Sequence, residues 1–297
     1  MRPPRILPSR PSTSSSIKFR LCVRTFRTPV MVYPQAALGW EDDLRRDGYC
    51  VIPSVLDATE VAHARQVAET ELPHMPHMAH SEAMWYVRTH PVVLAVFRRL
   101  WRSDDLIVGF DGMTVRRPGD EAWTLDWHVD QDASHERGLV CAQGVVALSH
   151  SDARTGGTQL VPGSHRHFAA LSRRCGADAD GIDGAWEFFA VGDDDYVFWQ
   201  CAPTVQPSLN PGDLLLWDSR TVHRVAAPEC SASARMVAYV CMTPRSFASA
   251  DVLAKRRLAF QTGIATTHWP HRYVDRDEER AGCRRLKDAP PRVRALV

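Results

Sequence analysis

The sequence has little lysine, no paired cysteine motif and no long apolar run. Only three of the 36 basic residues are lysine, so nearly all positive charge is arginine. No stretch approaches 18 consecutive apolar residues, which excludes a transmembrane helix. The eight cysteines form no CxxC pair, which favours a reduced intracellular protein over a zinc site or a disulfide framework. A net charge of +1 gives no sign of general nucleic-acid binding.

Acidic residues are absent from the first 40 positions, which hold seven basic ones. Residues 1–30 are rich in Arg, Ser and Pro, a composition typical of an organelle transit peptide. Alternatively, Met31 is the true start and the preceding segment is disordered or untranslated. In both cases we expect residues 1–30 not to pack, because they lack a periodic apolar face. The expected location is intracellular: cytoplasmic, or mitochondrial or plastid if the segment is a transit peptide.

Residues 31–297 are expected to form a single domain with helices at the front and strands behind them. Residues 40–105 have a helical pattern, with capping-box spacing from Asp57 to Glu60 and Pro91 at a first helical position. From about 107 to 245, short β-forming runs alternate with turn signals. A last helix is predicted from Ser249 to Gln261, within a C-terminal helical tail. The pattern predicts a mostly β (α+β) fold, a jelly roll with helical cover.

The segment Trp127-His128-Val129-Asp130-Gln131 carries the strongest chemical signal. In a strand, His128 and Asp130 project from one face, so an imidazole and a carboxylate can bind the same metal ion. His223, which follows an apolar strand, is the predicted third ligand. Two histidines and one carboxylate leave three coordination positions open, as in non-haem Fe(II) oxygenases. A closed structural zinc site would need a fourth protein ligand.

Arg235 lies twelve residues after His223, at the start of the run RMVAYVCM. A co-substrate that chelates iron through a keto acid presents a second carboxylate at its far end. A guanidinium binds such a carboxylate with two parallel hydrogen bonds, so Arg235 is the predicted anchor.

The sequence resembles the phytanoyl-CoA dioxygenase-like (PhyH) family of Fe(II)/2-oxoglutarate dioxygenases over roughly residues 40–245. The resemblance rests on Arg235 and on the motifs GYCVIPSVLDATEV, WHVDQ, GGTQLVPGSH and PGDLLLWDSRTVHR. It implies a double-stranded β-helix, a cupin-like jelly roll. It also implies Fe(II) at His128, Asp130 and His223, with 2-oxoglutarate and O2 as co-substrates. The implied activity is hydroxylation of a C–H bond with release of succinate and CO2.

Two positions refine this resemblance. Gln143 stands where the phytanoyl-CoA hydroxylating members have a Trp that lines the co-substrate site, so the acyl-CoA specificity is not carried over. The Gln143 amide is predicted to bind the co-substrate or substrate. The related halogenases have a small residue in place of the carboxylate ligand. The presence of Asp130 therefore favours hydroxylation over halogenation.

Three residues are candidates for the substrate side of the site, with weaker support: Met113, Trp217 and His268. His74, His77 and His80 recur every three residues, so a second metal site is conceivable, but the prolines at 73 and 76 favour a substrate-side or merely solvated loop. Two other functions stay open, namely another metal-dependent cupin-type enzyme, such as a zinc hydrolase, and a non-catalytic binding protein on the same barrel. The expected partner is a small-molecule or lipid-like substrate, with no nucleic acid and no protein partner evident.

Overall fold

The structure, a computed structural model, describes residues 39–75, 78–131, 138–170, 189–192, 203–230, 233–280 and 286–297. The predictions for residues 1–30 lie outside these ranges. No helix in the described ranges is both long enough and apolar enough to cross a bilayer.

The front of the chain is helical, as the sequence predicts, with one exception. Asp57 caps its helix with a capping box, since it accepts a hydrogen bond from the Glu60 amide and donates its own amide to the Glu60 carboxylate. Tyr49–Ile52 is a strand, β1, so the prediction of helix throughout 40–105 is wrong there. The helices are α1 (Trp40–Asp47), α2 (Ala58–Glu71), α3 (Glu82–Arg88) and α4 (Pro91–Trp101).

β1 and the next nine strands along the chain form two antiparallel sheets. A six-stranded sheet has the order β1-β8-β5-β10-β2, with β3 also paired to β10. A four-stranded sheet has the order β6-β9-β4-β7. These strands are β2 (Leu106–Val108), β3 (Met113–Arg116), β4 (Leu125–Val129), β5 (Ala142–Ala147), β6 (Gly157–Leu160), β7 (Phe189–Ala190), β8 (Leu214–Asp218), β9 (His223–Ala226) and β10 (Arg235–Pro244).

The six-stranded sheet is buried on both faces. Its outer face packs against the helices in a large apolar cluster that includes Leu214, Leu216 and Ala238. Side chains that alternate with these, such as Leu215 and Val237, pack inward with Leu160 of the four-stranded sheet. Successive residues of a strand point to opposite faces of the sheet. Alternate side chains of these strands therefore pack against the helices or into the interior of the barrel. This is the predicted jelly roll with helical cover.

The C-terminal part begins with the predicted helix, α5 (Ala250–Thr262). The Ser249 side chain caps it, and Gly263 ends it in the left-handed region at φ 75°. The tail beyond it is not only helical, because β11 (Ile264–Thr266) and β12 (Asp275–Arg280) pair before the short α6 (Pro291–Arg294).

A buried arginine on α5 ties this tail to the barrel. The Arg256 guanidinium donates to the carbonyl oxygens of Pro270 at 2.9 Å and Val108 at 2.7 Å. It also lies over the Phe110 ring, 4.7 Å from its centroid. The segment around Pro270 is therefore held next to the strand Leu106–Val108.

Candidate metal centre

His128 and His223 face each other across the four-stranded sheet. They are register partners on the antiparallel strands β4 and β9, so both imidazoles project from one face, with ring centroids 4.2 Å apart. Asp130 follows β4 directly, and its amide donates to the carbonyl oxygen of Ser219 at 3.0 Å. The structure thus brings the three predicted ligands together: one ligand atom from each lies within 4.8 Å of the others, and all three residues are buried.

Both imidazoles present Nε2 to the centre. The Nδ1 atom of His128 donates to the carbonyl oxygen of Asp126 at 2.6 Å, and that of His223 to the carbonyl oxygen of Thr221 at 2.9 Å. A carbonyl accepts only, so each Nδ1 carries the proton and each Nε2 keeps a lone pair. Burial lowers the pKa of both histidines to about 4, so both are neutral near pH 7. Neutral imidazole is the form that binds a metal ion.

Two neighbours fix the Asp130 carboxylate. Its Oδ2 accepts hydrogen bonds from Gln143 Nε2 at 2.6 Å and from Trp217 Nε1 at 3.3 Å. Gln143 and Trp217 are register partners on β5 and β8, so their side chains lie on the same inner face. The Oδ1 atom lies 3.7 Å from His128 Nε2. The Oδ2 atom lies 3.4 Å from His223 Nε2, so each carboxylate oxygen lies near one of the two imidazoles that would share an ion.

The donor set fits ferrous iron. Two imidazole nitrogens and one carboxylate oxygen, buried together, match the facial ligand set of non-haem Fe(II) enzymes. The hydrogen bonds to each Nδ1 and to Asp130 Oδ2 are the outer-sphere contacts that hold such ligands in orientation.

Arg235 opens β10 and lies inside the barrel. Its Nε donates to Ser151 Oγ at 3.2 Å, and its guanidinium packs flat on the backbone of Gly157. A Cβ at Gly157 would lie only 2.8 Å from Arg235 Nε, and the φ of +122° also favours glycine. The second glycine of the GGTQLVPGSH motif is therefore explained by the approach of Arg235.

His268 lies beside Asp130. Its Nε2 is 3.8 Å from Asp130 Oδ1, and the neighbouring Trp269 is fully buried. Gly109 permits this placement, because a Cβ there would approach the Thr267 carbonyl oxygen to 3.0 Å. The structure places His268 at the centre, but outside the group of ligand atoms within 4.8 Å of one another.

The structure does not place the other two candidates for the substrate side, Met113 and Trp217, at an open surface of the site. Met113 is opposite Ala238 in the register of β3 and β10 and packs against the helix-side cluster, so we correct its assignment to the substrate side. Trp217 is buried, with its indole nitrogen on Asp130, and does not form an open substrate platform.

The histidine loop has no metal cluster among the described residues. His80 is a core residue whose Nε2 contacts the carbonyl oxygen of Ile264 at 2.8 Å, whereas His74 is exposed. His77 lies outside the described residues. The His80 ring packs in the core against Phe110 and Phe260, with ring centroids 5.0 Å and 5.8 Å away.

Sequence reasoning missed that Gln143 and Trp217 both contact Asp130. The three residues come from different parts of the chain, and no spacing connects them. The alternation within β5 and β8 was the available signal, because it places both side chains on the barrel face.

Comparisons with known proteins identify the family of this chain. The sequence model of the phytanoyl-CoA dioxygenase (PhyH) family matches residues 65–237, more than half of the chain. A curated relative, Ava biosynthesis cluster protein O of Aspergillus versicolor, is 33% identical over 207 residues. That match covers 66% of this chain and 66% of the relative, so the chain spans about two thirds of its length.

Solved structures share the fold. A hypothetical protein from Escherichia coli has a TM-score of 0.64 at 20% identity, over 85% of this chain and 80% of that one. The epimerase SnoN, in complex with Fe3+, alpha-ketoglutarate and nogalamycin RO, has a TM-score of 0.54 at 23% identity, over 69% of this chain and 82% of that one. The carbocyclase SnoK from nogalamycin biosynthesis has a TM-score of 0.50 at 22% identity, over 71% and 85%. The predicted double-stranded β-helix is confirmed.

The family match covers β4, β9 and the residues of the metal centre that they carry. Fe(II) and 2-oxoglutarate are the cofactor and co-substrate of this family. The chain therefore belongs to the phytanoyl-CoA dioxygenase (PhyH) family and is a non-haem Fe(II)/2-oxoglutarate-dependent enzyme.

Proposed function

We propose that this enzyme hydroxylates a C–H bond of a small organic or lipid-like substrate and releases succinate and CO2 from 2-oxoglutarate. The observation that carries the proposal is the buried group of His128, Asp130 and His223, with one ligand atom from each within 4.8 Å of the others. Fe(II) bound there, together with 2-oxoglutarate and O2, supplies the oxidation chemistry. Asp130 supplies the carboxylate that related halogenases replace by a small residue to make room for chloride, which favours hydroxylation over halogenation.

Each nearby side chain has a separate part in this proposal. His128, Asp130 and His223 hold the ion, and Arg235 binds the far carboxylate of 2-oxoglutarate with its planar guanidinium. Gln143 was predicted to contact the co-substrate. Its hydrogen bond of 2.6 Å to Asp130 Oδ2 supports a positioning role instead. Trp217 positions the same oxygen from β8.

His268 is the proposed contact on the substrate side. The 3.8 Å from its Nε2 to Asp130 Oδ1 exceeds a direct hydrogen bond and places the imidazole beside the metal centre, within reach of a substrate bound there. A relative whose name places it in a biosynthesis cluster, and fold neighbours from nogalamycin biosynthesis, support a secondary-metabolite intermediate as substrate.

The test is turnover of a metabolite extract by the full chain, loaded anaerobically with Fe(II), then supplied with 2-oxoglutarate and O2. We expect succinate and a product that has gained one oxygen atom. Asp130→Ala and His128→Ala should abolish both, and full succinate release by either variant would refute the metal assignment.

The mass of the product tests the reaction type separately. An epimerised product would keep the substrate mass, and ring closure would remove two hydrogens. Either result, coupled to succinate release, would contradict hydroxylation and leave the enzyme class intact.

A further inference from the structure

Two buried arginines face each other inside the barrel. Arg116, the last residue of β3, is the register partner of Arg235, the first residue of β10. Residues directly opposite in an antiparallel pair project to the same face, and like charges in that position destabilise the pair. Both residues are nevertheless buried, with 7% of Arg116 and 5% of Arg235 exposed. This arrangement costs free energy unless a negative charge lies between them.

No carboxylate of the described chain supplies that charge. Arg235 Nε donates to Ser151 Oγ, and Arg116 Nη2 donates to the carbonyl oxygen of Thr155 at 3.1 Å. Both acceptors are neutral. Arg116 Nη1 is buried and has no hydrogen-bond partner. Within the described ranges, no Asp or Glu oxygen lies within 4.0 Å of either guanidinium.

The two guanidiniums share one wall. Ser151 and Thr155 belong to the connection between β5 and β6, and Gly157 is the first residue of β6. All three contact one arginine or the other. The absence of a side chain at Gly157 lets Arg235 lie against this wall. The site is thus built from three chain segments and carries two cations.

We infer that Arg116 is a second binding residue for the far carboxylate of 2-oxoglutarate, and that the pair selects doubly charged over singly charged 2-oxo acids. This inference rests on the proposed function. The carboxylate compensates both guanidiniums and gives Arg116 Nη1 the acceptor that the described residues do not provide. Hydrogen bonds between charged groups are roughly twice as strong as neutral ones, so each arginine contributes separately.

The test compares 2-oxoglutarate with pyruvate, which has the same keto acid end but no far carboxylate. Anaerobic titration calorimetry of the Mn(II)-loaded full chain measures both dissociation constants. Arg116→Met should weaken 2-oxoglutarate binding at least ~10-fold, the loss expected for one charged hydrogen bond, and change pyruvate binding less than about twofold. Arg117→Met, at the exposed neighbouring position, is the matched control and should leave both constants unchanged.

A second variant and a second measurement distinguish an effect on ligand binding from an effect on the stability of the fold. Arg116→Gln keeps an N–H for the Thr155 carbonyl, so it should fold and show the same selective loss. Without 2-oxoglutarate, neither variant should melt below the wild type, because removal of one cation relieves the repulsion. A lower melting temperature with equal loss of pyruvate and 2-oxoglutarate binding would overturn the inference and make Arg116 structural.

Arg235→Met distinguishes this inference from the proposed function. If Arg235→Met weakens 2-oxoglutarate binding and both Arg116 variants bind it like the wild type, the inference on Arg116 is wrong and the proposed anchor stands. If 2-oxoglutarate binds no variant differently from the wild type, the co-substrate site itself is wrongly assigned.

Discussion

The Asp130 carboxylate shows how one residue depends on its neighbours. A free carboxylate can turn about its Cβ–Cγ bond, whereas here two hydrogen bonds to Oδ2 fix its orientation. The residue types of the ligand set could be read from WHVDQ and His223. The contacts of Gln143 and Trp217 could not, since they depend on the register of two strands that are distant in sequence.

Gln143→Ala should weaken metal binding without unfolding the protein. Loss of an outer-sphere hydrogen bond of this kind typically lowers metal affinity ~10–100-fold. Anaerobic titration of the apoprotein with Fe(II) or Co(II) measures the effect. Gln159→Ala removes a glutamine of the same size whose side chain bonds Arg224 and Thr204, so it serves as control. Equal metal affinities in all three proteins would contradict a positioning role for Gln143.

Gly157→Ala should impair 2-oxoglutarate binding more than any other conservative change near Arg235. The added Cβ would meet the guanidinium at 2.8 Å, and the positive φ adds strain of about 1–3 kcal/mol. Calorimetry gives the affinity, and urea unfolding gives the stability. Gly138→Ala is the control, because a Cβ there meets no atom within 4 Å. An unchanged affinity for 2-oxoglutarate in Gly157→Ala would separate this glycine from the Arg235 site.

At the scale of elements, local signals were sufficient for helices and insufficient for sheet faces. The capping box of α2, Pro91 at the start of α4, and Gly263 after α5 act within a few residues, so the sequence predicts them. β1 was missed because four residues give too short a pattern, and its strand state depends on pairing with β8. Met113 was assigned to the wrong face for the same reason, since the register with β10 decides where it points.

The helix α5 is expected to depend on Arg256. Its guanidinium satisfies the carbonyl oxygens of Val108, Pro270 and Leu296 in the interior. Arg256→Met removes these donors and leaves buried acceptors unpaired, at a cost of roughly 3–5 kcal/mol in unfolding free energy. Arg257→Met, one position along on the exposed side of the helix, should change it by less than ~0.5 kcal/mol. Chemical denaturation compares them, and similar losses in both would contradict the role of Arg256.

At the scale of the whole molecule, the folded state is expected to lose stability in acid, because a buried histidine is neutral in the folded protein. Burial, aided by the charges of Arg272 and Arg256, lowers the pKa of His271 from its usual 6.5 to about 4. The folded state therefore resists protonation more than the unfolded state does. The stabilising contribution of His271 is fully present above pH 6.5 and is lost as the pH falls toward 4.

His271→Gln should reduce the loss of stability between pH 7.5 and pH 5. The side chain keeps a polar group near Thr243 Oγ1, which His271 Nδ1 contacts at 3.3 Å, but it cannot titrate. Over the whole range from 6.5 to 4 the difference is on the order of 2–3 kcal/mol. Urea unfolding at several pH values measures it. Parallel pH profiles for the wild type and the variant would show that His271 does not contribute.

The organisation of the whole chain was predictable in outline because composition and turn signals act over long stretches. A helical front, a β-rich centre and a late helix follow from periodicity. The meeting of His128 with His223 depends instead on strands 95 positions apart in sequence, with a register shift in β4 between Leu125 and His128. Local sequence patterns do not determine such pairings, so the sequence indicates His223 as a ligand but does not give its position opposite His128.

The most direct test of the central claim is a crystal structure of the full chain grown anaerobically with Mn(II), as a stand-in for Fe(II), and 2-oxoglutarate. We predict one ion bound by Nε2 of His128, Nε2 of His223 and a carboxylate oxygen of Asp130, with 2-oxoglutarate on the ion and its far carboxylate at Arg235. An ion bound elsewhere, or a fourth protein ligand that closes its coordination sphere, would contradict the account.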